Sequence, residues 1–334
     1  MSSIYLYLNG DRNTPSCRLR WFNYLDFFNE KNLDVTVLSK GSLLHRLRQY
    51  RRIEKGSTVV IQKRLVTCVE MLYLKTRKSR LIFDIDDSIW LTHPIRGMQP
   101  KTYVKQFIKM HIRLRLLSFY DHIICANSFL KENLSSFNSS ISVIPTSPSD
   151  SEVPVEEKKD GIFRIVWTGT KANFFYLDLI ADQLCRFLNE AENSELCVIS
   201  DGIFKLDDLN KLDKIRNVKW APDSESYWIQ QSSLGIMPLK TDRWSAGKSA
   251  FKLLKCMKLG IPVIGTNFGY QMDLVRNREN GFLVDNSDWY NVLKEIYSDS
   301  NSLSQIAEEG RKTYEKDYYP GLIGDKYLRV LKKY

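Results

Sequence analysis

No run of this 334-residue chain is apolar for the ~20 residues that a membrane-crossing helix needs. The start, MSSIYLYLNG, has neither a basic n-region nor a long apolar h-region, so it reads as a first strand and not as a signal peptide. The six cysteines (Cys17, Cys68, Cys125, Cys185, Cys197 and Cys256) include no C-x-x-C pair. That spacing argues against a metal site or a disulfide framework and suits a reducing cytoplasm. Internal repeats and low-complexity tracts are also missing. Acidic residues are scarce in one place only. Residues 1–150 carry 23 Lys/Arg against 12 Asp/Glu, whereas residues 151–334 carry 26 against 27. The whole +10 net charge therefore sits in the first half, where an anionic lipid surface, an anionic lipid-linked acceptor or nucleic acid could meet it.

What is present is a strand–helix alternation that runs twice. Ile4–Leu8, Asp34–Leu38, Thr58–Gln62, Arg80–Asp84, His122–Ala126 and Ile141–Ile144 read as short apolar strands, with a helix expected from about Cys17 to Glu30. Ser147–Gly161 is polar, acidic and proline-bearing, and reads as a linker. The alternation then restarts with strands at Phe163–Trp167, Glu195–Ser200, Val218–Trp220, Leu234–Met237, Ile261–Ile264 and Phe282–Val284. Helices are expected at Asn173–Asn189, Ser249–Leu259 and Trp289–Ser298. Such alternation predicts parallel sheets with crossover helices, hence an α/β protein of two doubly wound, Rossmann-like domains facing each other across a cleft. The domains are expected at 1–150 and 151–317, with 318–334 forming a last helix that crosses back to the first. Ligands in such sheets bind at the carboxyl ends of the strands.

The run Gly247–Gly269, GKSAFKLLKCMKLGIPVIGTNFG, reads as a helix with glycine, lysine and serine at its N-terminus, followed by a strand. Free N–H groups and the macrodipole there favour an anion. It is not a P-loop, because Asp242 stands where that motif requires its first glycine.

From Gly235 to Asn286 the sequence resembles the donor-binding half of group 1 (family 4) glycosyltransferases of the GT-B fold. The resemblance rests on Gly235, Pro238, Lys248, Phe251, Lys252, Leu253, Leu254, Met257, Gly260, Pro262, Val263, Gly269, Asn280 and Gly281. RIVWTGTKANFFYLDLI resembles the opening of the same domain, so the likeness spans about 162–286. It implies a nucleotide diphosphate sugar as donor substrate, no cofactor and no metal. It also implies a diphosphate surrounded by Gly169, Thr170, Lys171, Gly247, Lys248, Ser249 and Lys252, with Trp220 near the base. One departure stands out. Two glutamates eight positions apart, common in the family, fall here on Gly247 and Lys255. A carboxylate accepts from ribose hydroxyls, whereas an ammonium can only donate. A lysine-rich variant of this segment exists in the family, so Lys255 is kept among the donor-binding candidates.

The acidic cluster Asp84, Asp86 and Asp87 follows an apolar strand. It can be read as a D-x-D metal site, as a phosphatase signature with Asp84 as nucleophile, as carboxylates pairing with Arg64 or Arg80, or as the D-x-D-D element of GT-B proteins. The downstream resemblance favours the last, with these aspartates orienting the acceptor or stabilising positive charge at the anomeric carbon. The loop Asn9–Arg20 resembles one that faces the donor phosphates, with Ser16, Arg18 and Arg20 as its candidates. Two stretches, His45–Arg52 and Lys101–Phe119, mix basic and apolar residues in a way that suits an anionic cytoplasmic leaflet. No nucleic-acid recognition module accompanies them. The expected function is retaining transfer of a sugar to a saccharide or lipid-linked acceptor in surface polysaccharide or lipopolysaccharide synthesis, by a cytoplasmic enzyme peripheral at the inner face of the membrane. The alternatives are a non-catalytic nucleotide-sugar-binding protein or a phosphatase using Asp84. The two-domain epimerases share this fold, but their acid–histidine set is not evident among His45, His93, His111 and His122.

Overall fold

Strands buried on both faces need apolar runs, not alternation, and this chain builds two sheets of that kind. A computed structural model of the protein describes residues 3–91, 110–149, 160–206, 213–299 and 303–332. The first sheet contains β1 (Ile4–Tyr7), β2 (Val35–Leu38), β3 (Thr58–Gln62), β4 (Arg80–Ile85), β5 (His122–Cys125) and β6 (Ile141–Val143), all parallel, in the order β2-β1-β3-β4-β5-β6. The second contains β7 (Phe163–Thr168), β8 (Ser194–Ser200), β9 (Ile215–Lys219), β10 (Leu234–Met237), β11 (Val263–Thr266) and β12 (Phe282–Val284), also parallel, in the order β12-β11-β10-β7-β8-β9. Each is a Rossmann-like α/β layer.

The chain divides into two compact units. One comprises Met1–Ser147, Gly247–Ser249 and Pro320–Tyr334; the other comprises Pro148–Ala246 and Ala250–Tyr319. Each sheet is covered on both faces. In the first unit, Ile4, Leu6, Val60 and Ile82 face a layer with Trp21, Tyr24, Phe28 and Tyr327. The last residue of that set comes from the helix Pro320–Lys332, and its ring lies 4.8 Å from Trp21 and 5.3 Å from Tyr24. Arg80 fastens the same helix by donating to the Val330 carbonyl at 2.5 Å. In the second unit the side chains of β7 alternate. Ile165 and Trp167 enter one core layer with Leu184, Phe187 and Trp289, and Val166 enters the other with Leu254 and Met257.

Several element boundaries differ from the sequence expectation, each for a local reason. The helix expected over 17–30 is three pieces, Pro15–Arg20, Phe22–Tyr24 and Leu25–Glu30, because Trp21 leaves helical geometry at φ −131°. The helix expected over 173–189 breaks at Ile180 (φ −119°), so its long part is Ala181–Glu190. The strand expected at 261–264 begins at Val263; Pro262 has no N–H to give, and its carbonyl accepts from Gly235 at the edge of the ladder. The helix expected from Ser249 begins at Phe251, after Ala250 in left-handed geometry at φ +50°. Gly247, Lys248 and Ser249 therefore do not form its first turn. Residues 101–109 of the basic stretch, with His93 and most of the linker, lie outside the described residues. Among the described residues no helix is long and apolar enough to cross a membrane.

Candidate functional site

In the second unit the carboxyl ends of β7, β8 and β9 bring a set of polar groups together. After Thr168 the chain turns at Gly169, whose N–H donates to the Ile199 carbonyl at 3.0 Å. Gly169 has no room for a side chain: a Cβ would lie 2.6 Å from the Lys252 ammonium and 2.6 Å from the Trp167 ring. The Lys252 Nζ sits 4.0 Å from the centroid of that buried indole. A cation is thus held over a π face beside a bare turn of backbone, an arrangement that suits an anion brought close to the main chain. Thr170 and Lys171 follow on the exposed side. The Lys171 backbone N–H donates to Asp201 at 2.6 Å, which ties this turn to the one after β8.

One turn further along the same helix, Lys255 approaches Glu225 at 2.5 Å. Glu225 comes from the helix Pro222–Gln230 and is buried. Its Oε1 accepts from the Thr168 hydroxyl at 2.6 Å, and its Oε2 accepts from the Trp220 indole N–H at 2.8 Å as well as from Lys255. Burial pushes this carboxyl up, but Lys255 and the hydrogen bonds outweigh burial and hold it below its ordinary value.

In the first unit the acidic motif splits in two. Asp84 is wholly buried and paired with the equally buried Arg20. Its Oδ1 accepts from Arg20 Nη2 at 2.5 Å, and its Oδ2 accepts from the Trp21 indole N–H at 2.8 Å. Arg20 gives its remaining donors to the Ile144 carbonyl at 3.0 Å and the Thr146 hydroxyl at 3.1 Å. Asp86 and Asp87 instead meet Lys63, which follows β3 in left-handed geometry at φ +53°. Lys63 Nζ lies 3.0 Å from Asp86 and 2.5 Å from Asp87, and Lys248 Nζ lies 3.4 Å from the other oxygen of Asp87. Burial raises Asp86 above its ordinary value. For Asp87 burial acts the same way, but Lys248 and Lys63 outweigh it, so this carboxyl is held low.

Besides the Lys248–Asp87 pair, residues of the same unit hold the backbone of segment 247–249. Asn127, buried at the N-cap of the helix Ser128–Leu134, donates its side-chain amide to the Gly247 carbonyl at 3.0 Å. A Cβ on Gly247 would fall 2.2 Å from the Ser88 hydroxyl. Ser16 and Arg18 lie partly exposed on the helix Pro15–Arg20; the Ser16 carbonyl accepts from Gln62 at 2.9 Å.

Known proteins share this architecture. Residues 163–299 match the family model of glycosyl transferases group 1. Anabaena Alr3699/HepE, solved in complex with UDP and glucose, superposes with a TM-score of 0.71 at 10% identity over 100% of both chains. Its complex with UDP-glucose gives 0.69 at 11% identity over 99% of both. The fold is that of the GT-B glycosyltransferases. A glycosyltransferase from Rickettsia africae is similar over 99% of this chain and 98% of that one (TM-score 0.69, 13% identity), as is sucrose-phosphate synthase from Thermosynechococcus elongatus over the same shares (0.68, 11%). No curated protein matches the sequence significantly.

Within this GT-B chain the expected donor set divides. Gly169, Thr170, Lys171, Trp220, Lys252 and Lys255 belong to the second unit, whereas Gly247, Lys248 and Ser249 belong to the first. Two expectations need correction. Arg20, expected to face phosphate, has its donors turned into the core, and Asp84, expected among the catalytic acids, has both oxygens engaged there, because each neutralises the other. A carboxylate so enclosed cannot act as a phosphatase nucleophile. Four contributors were missed: Lys63, Asn127, Ser88 and Glu225. Lys63 directly follows a strand at its carboxyl end, a position that marks ligand-facing residues in such sheets and could have flagged it.

Proposed function

We propose that this chain is a retaining glycosyltransferase that moves a sugar from a nucleoside diphosphate donor to a lipid-linked saccharide in surface polysaccharide synthesis. The carrying observation is the Gly169–Lys252–Trp167 seat, inside the segment that matches group 1 glycosyltransferases. A diphosphate leaving the anomeric carbon gains negative charge. A lysine fixed over an indole, beside a turn that admits close approach, stabilises that charge without rearranging. Asp86 and Asp87, still ionisable and partly exposed, would orient the acceptor or balance positive charge on the sugar.

Peripheral attachment to an anionic membrane is part of the same reading. The helix Leu43–Arg51 carries no acid and ends in Arg48 and Arg51. Leu44 is 70% exposed on it, and Leu72 is 71% exposed on the neighbouring helix Cys68–Thr76. Arg46 joins the two helices by its bond to Glu70. Apolar side chains projecting among arginines suit the boundary between headgroups and acyl chains.

Calorimetry with UDP, UDP-glucose and other nucleoside diphosphates tests the donor assignment; the uridine compounds come first because HepE was solved with them. Lys252→Ala should weaken UDP and inorganic pyrophosphate alike, by roughly ten- to a hundredfold, the scale of a charge-assisted contact. Unchanged affinity in that variant would remove the phosphate role. Slow hydrolysis of the bound donor by the wild-type protein would set an enzyme apart from a passive binder.

A further inference from the structure

We propose that Glu225 is a positioning residue for the nucleoside end of the donor: it holds Lys255 and Trp220 in place for the sugar and base of the nucleotide. The proposal rests on the reading of Gly169 and Lys252 as the diphosphate seat.

Four observations from the second unit carry it. Lys252 and Lys255 lie three residues apart on one helix face, so a ligand anchored at Lys252 has Lys255 as its next neighbour along the helix. Lys255 is not another bare positive charge, because Glu225 neutralises it at 2.5 Å. A second phosphate therefore gains little there, whereas a vicinal diol can still accept from the ammonium's remaining N–H groups. Glu225 Oε2 also accepts from the Trp220 indole N–H, which fixes the ring by its edge while the residue remains 37% exposed. An indole held in one orientation at a strand's carboxyl end is a ready stacking platform for a base. Thr168, the last residue of β7, donates to Oε1 and locks the carboxylate against the sheet. Glu225 itself is only 6% exposed and so works through the two groups it orients.

The test compares UDP with inorganic pyrophosphate, which has no nucleoside. In Glu225→Gln the UDP dissociation constant should rise roughly tenfold or more while that for pyrophosphate stays within twofold of wild type. Glu225→Asp, which keeps the charge, should recover part of the loss. Trp220→Phe leaves the carboxylate in place and should reduce the UDP-dependent change in tryptophan fluorescence, leaving the part that arises at Trp167 beside Lys252. Equal loss of both ligands in Glu225→Gln, or no loss of UDP, overturns the proposal and leaves the diphosphate seat standing. Failure of the wild-type protein to bind either ligand overturns both.

Discussion

Arg20 and Asp84 meet inside the core: both side chains are fully buried, and the guanidinium donates to both carboxylate oxygens. Removing one partner strands the other as an uncompensated charge in the core. Arg20→Met should therefore cost about 3–5 kcal/mol of stability. Urea unfolding measures the loss, and UDP affinity of the folded fraction should be unchanged. A variant of wild-type stability that had lost UDP binding would return Arg20 to the donor site.

Gly247 is fixed by a steric relation to Ser88. Adding one methyl in Gly247→Ala brings a carbon to 2.2 Å from the Ser88 hydroxyl and 3.1 Å from its Cβ, an overpacking that costs about 1–3 kcal/mol. Ser88→Gly in the same chain removes both contacts and should restore much of the loss. If the double variant unfolds at the same urea concentration as Gly247→Ala alone, the clash is not the cause.

Glu70 gives the fold a definite acid response. It accepts from Arg46 at 2.7 Å, from Arg64 at 2.7 Å and from the Thr67 N–H at 3.0 Å. Burial acts to raise its carboxyl, and these partners more than reverse that, taking it down to about 2. A folded-state value below the unfolded one means that the unfolded chain binds the extra proton. The contribution is complete above the unfolded value near 4.5 and drains away as pH falls toward 2. Glu70→Gln should be less stable at neutral pH and should show a flatter loss between pH 4.5 and 2, read from urea midpoints across that range.

Membrane attachment has its own signature. Flotation with vesicles containing anionic phospholipid should carry the protein upward, weaken as salt is added and fall severalfold in Leu44→Ser/Leu72→Ser. Equal flotation with neutral vesicles would contradict the electrostatic part of the account.

The sheets were legible because parallel strands buried on both faces carry short apolar runs: Thr58–Gln62, with Val59–Ile61 at its centre, Leu234–Met237 and Phe282–Val284 all fall where the sequence places them. Helix limits were less so. Nothing in the letters around Ala250 announces a left-handed residue, and that one torsion moves the helix start past Lys248 and Ser249. Side-chain pairing was hidden for a different reason. Arg20 and Asp84 are 64 positions apart, and Glu225 and Lys255 are 30 apart. Only the crossover connections bring them together, so an arginine that neutralises a core carboxylate looks in sequence like one that waits for phosphate.

Neither unit is a continuous length of chain. The polypeptide leaves the first at Ser147, returns for three residues at Gly247 and returns again at Pro320. Exchanging everything after a single joint near residue 148 between relatives would therefore deliver a foreign covering for Trp21, Tyr24 and Phe28 together with the new second unit. Evolution by such shuffling would have to carry the last helix as a passenger matched to the opposite partner. The inheritance of Tyr327 should thus follow the sequence around Trp21 and not that of the second unit.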